Sequence, residues 1–261
     1  LGLRPAALDT VPRSIASDLD HLSAAGIATA ISPHAPYSVA AALGRALLDE
    51  AQRRQCPVAM HLLESEAEAE FLARGTGPFR KLLAEWINRL ARCRRGIVVH
   101  ATHIGTDPNA LICLARHRNR LAVVICPRTT QAISGVLPPL QLLTSAGIRL
   151  AIGTDSRASN PDLSVLAECR TLVDAGVTSP EESLHMATVH AAWALAFEDR
   201  AGTIAVGRPA DLAILMPRSS AADPFTAALD PSTVVATTLR RGRLIAGQLG
   251  AARVMEPARL L

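Results

Sequence analysis

Two patterns of hydrophobic and polar positions alternate along the first two thirds of this chain. Short, largely apolar runs end in polar residues: Ala28-Thr-Ala-Ile-Ser-Pro-His34, Pro57-Val-Ala-Met-His61, Gly96-Ile-Val-Val-His100, Leu121-Ala-Val-Val-Ile-Cys126 and Ile148-Arg-Leu-Ala-Ile-Gly-Thr-Asp155. Between them, residues 38–55, 66–92, 107–117 and 137–146 place apolar side chains at helical spacing. A strand with one wet face alternates apolar and polar residues. Runs that are apolar throughout belong in a parallel sheet covered on both faces, so the pattern predicts an α/β fold. The strand ends lie 26 to 39 residues apart, close to the ~30 residues of a βα unit. Five consecutive units fit. An eight-stranded barrel needs three more, and upstream of Ala28 there is room for one helix only.

After Asp155 the spacing predicts helices over 162–175 and 179–198. Ser179-Pro180-Glu181-Glu182 makes a good start for the second, with Ser179 as N-cap and Pro180 at the first position. From Ala201 glycines punctuate short β-like runs, Ala210-Asp-Leu-Ala-Ile-Leu215, Val234-Val-Ala-Thr-Thr-Leu239 and Arg243-Leu-Ile-Ala246. A small β element therefore follows the barrel-like region.

Composition narrows the function classes. Hydrophobic residues make up 49% of the 261 positions and charged residues 19%, so the chain can bury a core and is not disordered. The net charge is +4, but its 26 arginines and one lysine are scattered, and aromatics are 3%. That argues against nucleic acid as a partner and for an Arg- and Ala-rich genome. Lysine-dependent chemistry would rest on Lys81, whose surroundings read as helix. The five cysteines are odd in number, widely spaced and lack Cys-x-x-Cys, so a disulfide scaffold is not expected and a reducing cytoplasm is. No apolar run approaches the ~20 residues of a membrane span. The first residue is Leu1 rather than Met, so the chain either was processed or begins partway through a longer protein.

The residues suited to chemistry gather at the predicted C-terminal strand ends. His34, His61, His100 and Asp155 each end a different run, where barrel and doubly wound enzymes place their sites. One strand-end histidine is most often structural; three with an aspartate are much harder to attribute to chance. His61 and Glu64 form His-x-x-Glu, and Asp155 sits in Gly153-Thr-Asp-Ser156. An imidazole with a carboxylate can hold a metal and manage a proton. The plainer readings are a capped helix start at Glu64 and an N-cap at Asp155. His-Glu-x-x-His is absent, as is the His-x-Glu with Pro-Cys-x-x-Cys of deaminases with cysteine-bound zinc. His103 reads as structural. His21 and His117 read as surface residues, and His185 and His190 as packing or solvent-facing.

Taken in order, Ser32-Pro-His-Ala-Pro-Tyr-Ser38, His61-Leu-Leu-Glu64, Val99-His-Ala-Thr-His103 and Gly153-Thr-Asp-Ser-Arg-Ala-Ser-Asn160 resemble the amidohydrolase superfamily, in its cytosine deaminase-like and chlorohydrolase-like branch. Gly202-Thr-Ile-Ala-Val-Gly-Arg-Pro-Ala-Asp-Leu212 is similar to that family's entry into a small β-sandwich. The resemblance implies a partial TIM barrel, strands four to eight, over residues 1–200, and part of the sandwich over 201–261. It implies one divalent metal, zinc ahead of iron, held by His61 and Asp155. Asp155 would also act as base, Glu64 would shuttle the proton to a substrate ring nitrogen, and His100 would position the attacking water. His34, Glu64 and Ser156 would contact a small-molecule substrate. No lysine ends strand four, the run at 28–34, where binuclear relatives carry one, which favours the mononuclear type.

The family's His-x-His pair is missing from the eight histidines here. With the early strands also missing, the resemblance implies a C-terminal fragment, inactive alone for want of two ligands, whose open edges favour self-association. Cys126-Pro-Arg-Thr-Thr130 falls in the strand-seven loop, where some relatives carry a histidine after the position of Thr129. Gly75-Thr-Gly-Pro-Phe79 and Asp162-Leu-Ser-Val-Leu-Ala-Glu168 are similar to aminofutalosine deaminases and uncharacterised amidohydrolases. The expected activity is hydrolytic deamination of a purine-like N-heterocycle. Two alternatives stand beside it: a chlorohydrolase or other C–N hydrolase on the same barrel, and a non-catalytic remnant that binds a ligand or partner.

Overall fold

The computed structural model describes residues 7–74, 82–218 and 223–247. Lys81 and the 75–79 motif lie outside them. The chain divides into two units, Leu1–Gly202 and Thr203–Leu261.

The first unit opens with α1 (Ala7–Ala24) and α2 (Ala41–Arg54). Four parallel strands follow in sheet order β1 (Val58–Leu62), β2 (Gly96–His100), β3 (Leu121–Ile125) and β4 (Arg149–Ile152). The register pairs His61 with Val99, Leu62 with His100, and Ile125 with Ile152, so the strand ends share one edge. All five residues of β2 are buried. Its β-branched Ile97-Val98-Val99 suits a pleated surface covered on both sides. Chain order equals sheet order, and α3 (Glu66–Arg74), α4 (Leu82–Leu90), α5 (Pro108–Arg116), α6 (Pro127–Ser134) and α7 (Leu140–Ser145) occupy the connections. This is the α/β architecture that the apolar runs predicted.

Three expectations are corrected. The run at 28–34 is not a full strand. It makes one bridge, Ile31 to Val58, extended by the His61 N–H on the His34 carbonyl. Pro33 has no N–H to give the ladder. Residues 126–130 are not a loop, because Cys126 precedes α6 and Pro127 takes its first position, where a missing N–H costs nothing. The predicted helix over 179–198 is broken. The capping box of Ser179 and Glu182 starts α9 (Pro180–His185), a π-turn covers Met186–His190, and α10 (Ala191–Ala194) ends the run. The Thr188 hydroxyl donates to the Leu184 carbonyl at 2.6 Å, a back-bond that bends helices. Between β4 and α9 runs α8 (Val165–Asp174), capped by Ser164.

Ile97, Val99, Ala122, Cys126 and Ala194 form one buried cluster, with Ala59, Val124 and Trp193 packed against it. Toward the N-terminal strand ends, Trp193 lies between two guanidinium groups. Arg95 is 4.3 Å and Arg149 3.9 Å from its ring centre, and Arg95 pairs with Glu198 at 2.6 Å. At the other end, a Cβ on Gly153 would meet Val124 Cγ1 at 2.8 Å, so only glycine lets β4 approach β3 this closely before Asp155.

The five cysteines are buried and free. Burial pushes their thiols above the ordinary range, that of Cys93 to about 12. A thiol reagent such as dithiobisnitrobenzoate is therefore expected to label none of them promptly in the native chain and all five after unfolding. The His190 ring donates from Nδ1 to the Leu150 carbonyl at 2.8 Å, and burial lowers its pKa. The folded chain thus favours neutral His190. Its contribution to stability is complete above the unfolded value of about 6.5 and declines as the pH falls below it. Urea midpoints should drop from pH 7.5 to 5.5, and drop less in His190→Asn, which keeps a donor but does not titrate.

The second unit is an antiparallel sheet of β5 (Leu212–Met216), β6 (Val234–Arg240) and β7 (Arg243–Gly247), with α11 (Pro224–Leu229) between β5 and β6. Arg241 and Gly242, at φ 49° and 75°, make the two-residue turn of the β6–β7 hairpin. Among the described residues no helix is long and apolar enough to cross a membrane.

Candidate metal and acid–base centre

The site is built at the strand ends, where the backbone turns sharply. Leu63, His100 and Asp155 have φ of 56°, 71° and 57°, in the left-handed region that residues other than glycine seldom occupy. Such strain is held by surrounding bonds. The Ala101 N–H reaches the Leu62 carbonyl at 3.1 Å, and the His103 N–H reaches the Leu63 carbonyl at 3.1 Å. The side chains at the ends of β1, β2 and β4 meet near one point.

His61 leaves β1 with its ring fixed. A carbonyl only accepts, so Nδ1–H donates to the His34 carbonyl, at 3.1 Å. That bond sets the tautomer and leaves the Nε2 lone pair free, an arrangement common behind metal-bound histidines. His61 Nε2 lies 3.7 Å from Asp155 Oδ1. Asp155 Oδ2 accepts the Ser159 hydroxyl at 2.5 Å. His100 is fully buried, and neither ring nitrogen has a hydrogen-bond partner. Its Nε2 is 3.4 Å from Glu64 Oε1, within ion-pair range but without hydrogen-bond geometry. Burial holds the His100 imidazole below its usual pKa against the pull of Glu64.

One ligand atom from each of His61, His100 and Asp155 can be chosen so that all lie within 4.8 Å of one another. Two imidazoles and a carboxylate form a donor set that suits zinc. The unsatisfied nitrogens of a fully buried His100 are what an absent metal or reacting group would complete. The residues therefore fit a divalent metal.

Glu64 is secured on three sides. Its N–H donates to Glu68 Oε2 at 3.0 Å, its carbonyl accepts the Ser134 hydroxyl at 3.1 Å, and its Oε2 accepts the Tyr37 hydroxyl at 3.0 Å. The His34 and His61 rings lie 4.8 Å apart between centres at a 35° tilt, and the His61 and His100 rings are 5.1 Å apart. The structure thus brings His34, His61, Glu64, His100 and Asp155 together. Ser156 is exposed, and its hydroxyl accepts the Ala158 N–H at 3.2 Å in a local turn. His103 and His117 are half-buried and His21 is exposed.

A profile of the amidohydrolase family matches residues 8–245. The chain belongs to the amidohydrolase family. This amidohydrolase is 28% identical over 198 residues to a 5-methylthioadenosine/S-adenosylhomocysteine deaminase of Moorella thermoacetica, an alignment covering 72% of this chain and 45% of that protein. The chain thus spans just under half the length of the curated relative. A crystal structure of an adenosine deaminase from Xanthomonas campestris with bound zinc superposes with a TM-score of 0.71 at 29% identity, covering 85% of this chain and 52% of that one. The fold is also that of Helicobacter pylori aminofutalosine deaminase, with a TM-score of 0.78 at 22% identity over 93% of this chain and 65% of that one.

Sequence reasoning missed the supporting residues of this amidohydrolase. Ser65-x-x-Glu68 was visible as a capping box. In the structure Ser65 Oγ accepts the Glu68 N–H at 3.2 Å, while the Glu68 carboxylate reaches back to Glu64. Tyr37 and Ser159 stand inside the motifs that carry the family resemblance but with no role attached, and Ser134 carried no signal.

Proposed function

We propose that this amidohydrolase is a hydrolytic deaminase of a purine-like N-heterocycle, dependent on one divalent metal, zinc ahead of iron. The observation that carries the reading is the convergence of His61, His100 and Asp155 within 4.8 Å, with the Glu64 carboxylate 3.4 Å from His100. The deaminase names of the relatives support the leaving group and the purine-like class.

In this reading β1 to β4 correspond to barrel strands five to eight and residues 28–34 to strand four. On the same reading residues 1–200 would form the C-terminal part of the barrel and 201–261 part of a small β-sandwich. Of the three converging groups, His61 Nε2 and Asp155 would hold the metal and His100 would stand unbound beside it; when bound, the metal would supply Lewis acidity that lowers the pKa of water toward about 7. Asp155 accepts a proton from the attacking water. Glu64 delivers a proton to the substrate ring nitrogen as the C–O bond forms. Neutral His100 orients the water and stabilises the tetrahedral carbon's oxygen. Asp155 then passes its proton to the amino group, which leaves as ammonia as the C–N bond breaks, and the hydroxyl proton returns to Glu64 as the ring carbonyl forms. His34 and Ser156 contact the substrate.

The test is zinc content by atomic emission and ammonia release from adenosine and methylthioadenosine, measured on a full-length version that carries the His-x-His pair. Ammonia release that fails in His61→Ala and Asp155→Ala is expected. Retention of both metal and turnover in these variants would sink the reading, and chloride release from a chlorinated triazine without ammonia would change the leaving group. The absence of His-x-His among the eight histidines favours one second reading, a non-catalytic ligand binder. It predicts zinc binding without turnover.

A further inference from the structure

We propose that Tyr37 is a positioning residue for Glu64, holding one carboxylate oxygen so that the other faces His100. This rests on the reading above, in which Glu64 moves the proton. Glu64 has its N–H on Glu68 and its carbonyl under Ser134, so its backbone is anchored on both sides. Its side-chain torsions remain free, and among the described residues the Tyr37 hydroxyl donates to its carboxylate. The bond takes Oε2 at 3.0 Å, while Oε1 stays 3.4 Å from His100 Nε2. The two oxygens are thereby distinguished: one is pinned and one is left to carry a proton.

Tyr37 can do this because its own turn is braced. His34 Nδ1 and Ser38 Oγ are 2.5 Å apart, the Ser38 hydroxyl donates to the Ala35 carbonyl at 3.2 Å, and the Val39 N–H reaches the same carbonyl at 3.1 Å. The His34 and Tyr37 rings meet edge to face, 5.8 Å between centres at 87°. A donor held by a rigid turn orders a flexible carboxylate at little cost during the reaction. Desolvation and the adjacent Glu64 carboxylate raise the phenol above its usual pKa, as expected for a hydroxyl that keeps its proton beside a negative charge.

Tyr37 is the only tyrosine in the chain, so uniform 3-fluorotyrosine labelling yields a single fluorine resonance. In the intact chain its phenol is expected to titrate well above free 3-fluorotyrosine, and Glu64→Gln should shift the resonance and lower the midpoint. A midpoint equal to that of the free amino acid in both proteins would overturn the inference. With a substrate that the full-length version deaminates, Tyr37→Phe should lower kcat about tenfold and leave KM within about twofold, a fraction of what acid–base catalysis supplies. The fluorotyrosine enzyme, which keeps the hydroxyl, should retain its kcat. A raised KM with intact kcat would instead make Tyr37 a substrate contact and overturn positioning. The ring is half exposed, so the phenylalanine variant should fold with an unchanged melt. The fluorine measurement needs no turnover, so a full-length version that releases no ammonia would overturn the deaminase reading while the Tyr37–Glu64 contact is decided separately on the present chain.

Discussion

Asp155→Asn, placed in a full-length version that carries the His-x-His pair, is expected to reduce ammonia release by at least about a thousandfold, within the range that acid–base groups contribute, while the fold survives. Asparagine matches aspartate in shape, and its amide can still meet the Ser159 hydroxyl, which now holds Oδ2 at 2.5 Å. It also tolerates the left-handed backbone, and Asp155 sits at φ 57°. The melting temperature should therefore hold or rise slightly. What disappears is the negative charge 3.7 Å from His61 Nε2 and the ability to accept a proton. Outer-shell changes at metal sites commonly cost about 10–100-fold in affinity, so loss of a ligand should cost at least that. Zinc competition with a chromogenic chelator, ammonia release and a thermal melt separate these effects. Full turnover in Asp155→Asn would remove Asp155 from the reaction.

The largest expected loss of stability lies one shell further out. Glu168, in α8, is fully buried. Its Oε2 accepts the Arg128 backbone N–H at 2.9 Å at the start of α6, and its Oε1 accepts the Asn160 amide at 2.6 Å. Asn160 Oδ1 in turn accepts the N–H groups of Asp162 and Leu163, at 3.3 and 2.9 Å. One carboxylate thus ties α6 to the loop that follows Asp155. Burial raises its pKa, and the Arg128 N–H and Asn160 amide oppose that rise. Glu168→Ala strands two buried donors at once, at about 1–3 kcal/mol each, for a loss of about 3 kcal/mol. Urea unfolding should show it as a lower midpoint with an unchanged slope. Zinc affinity should weaken in parallel, because the Asp155 loop loses its anchor. A midpoint within error of the parent chain would mean that the site repacks around the missing carboxylate.

Legibility in the sequence followed the physics of burial. Runs such as Gly96–His100 could be placed to within a residue or two because both faces are covered, which forces continuous apolar, β-branched residues. The run at 28–34 looked similar, yet Pro33 interrupted its ladder. Residues 127–134 fold as helix although Thr129 and Thr130 carry low helix propensity. Thr129 is fully buried, and packing outweighs propensity there. The broken helix at 186–190 was hidden because it depends on Thr188 and on the His190 bond to Leu150 in a neighbouring strand.

The sequence by itself determined the α/β class, the alternation of strands with helices, and the polar residues that end the strands. Those features arise from side-chain periodicity and from which faces meet water, both local properties. The tertiary structure decided how His61, His100 and Asp155 converge, which tautomer His61 adopts, and what holds Glu64 and Asp155 in place. Those depend on parallel register, on left-handed turns at φ 56° to 71°, and on bonds between residues 27 to 70 positions apart, such as Tyr37 to Glu64 and Ser134 to Glu64. Hydrogen bonds need donor and acceptor within a few tenths of an ångström, and chain-local patterns do not encode distance across a fold.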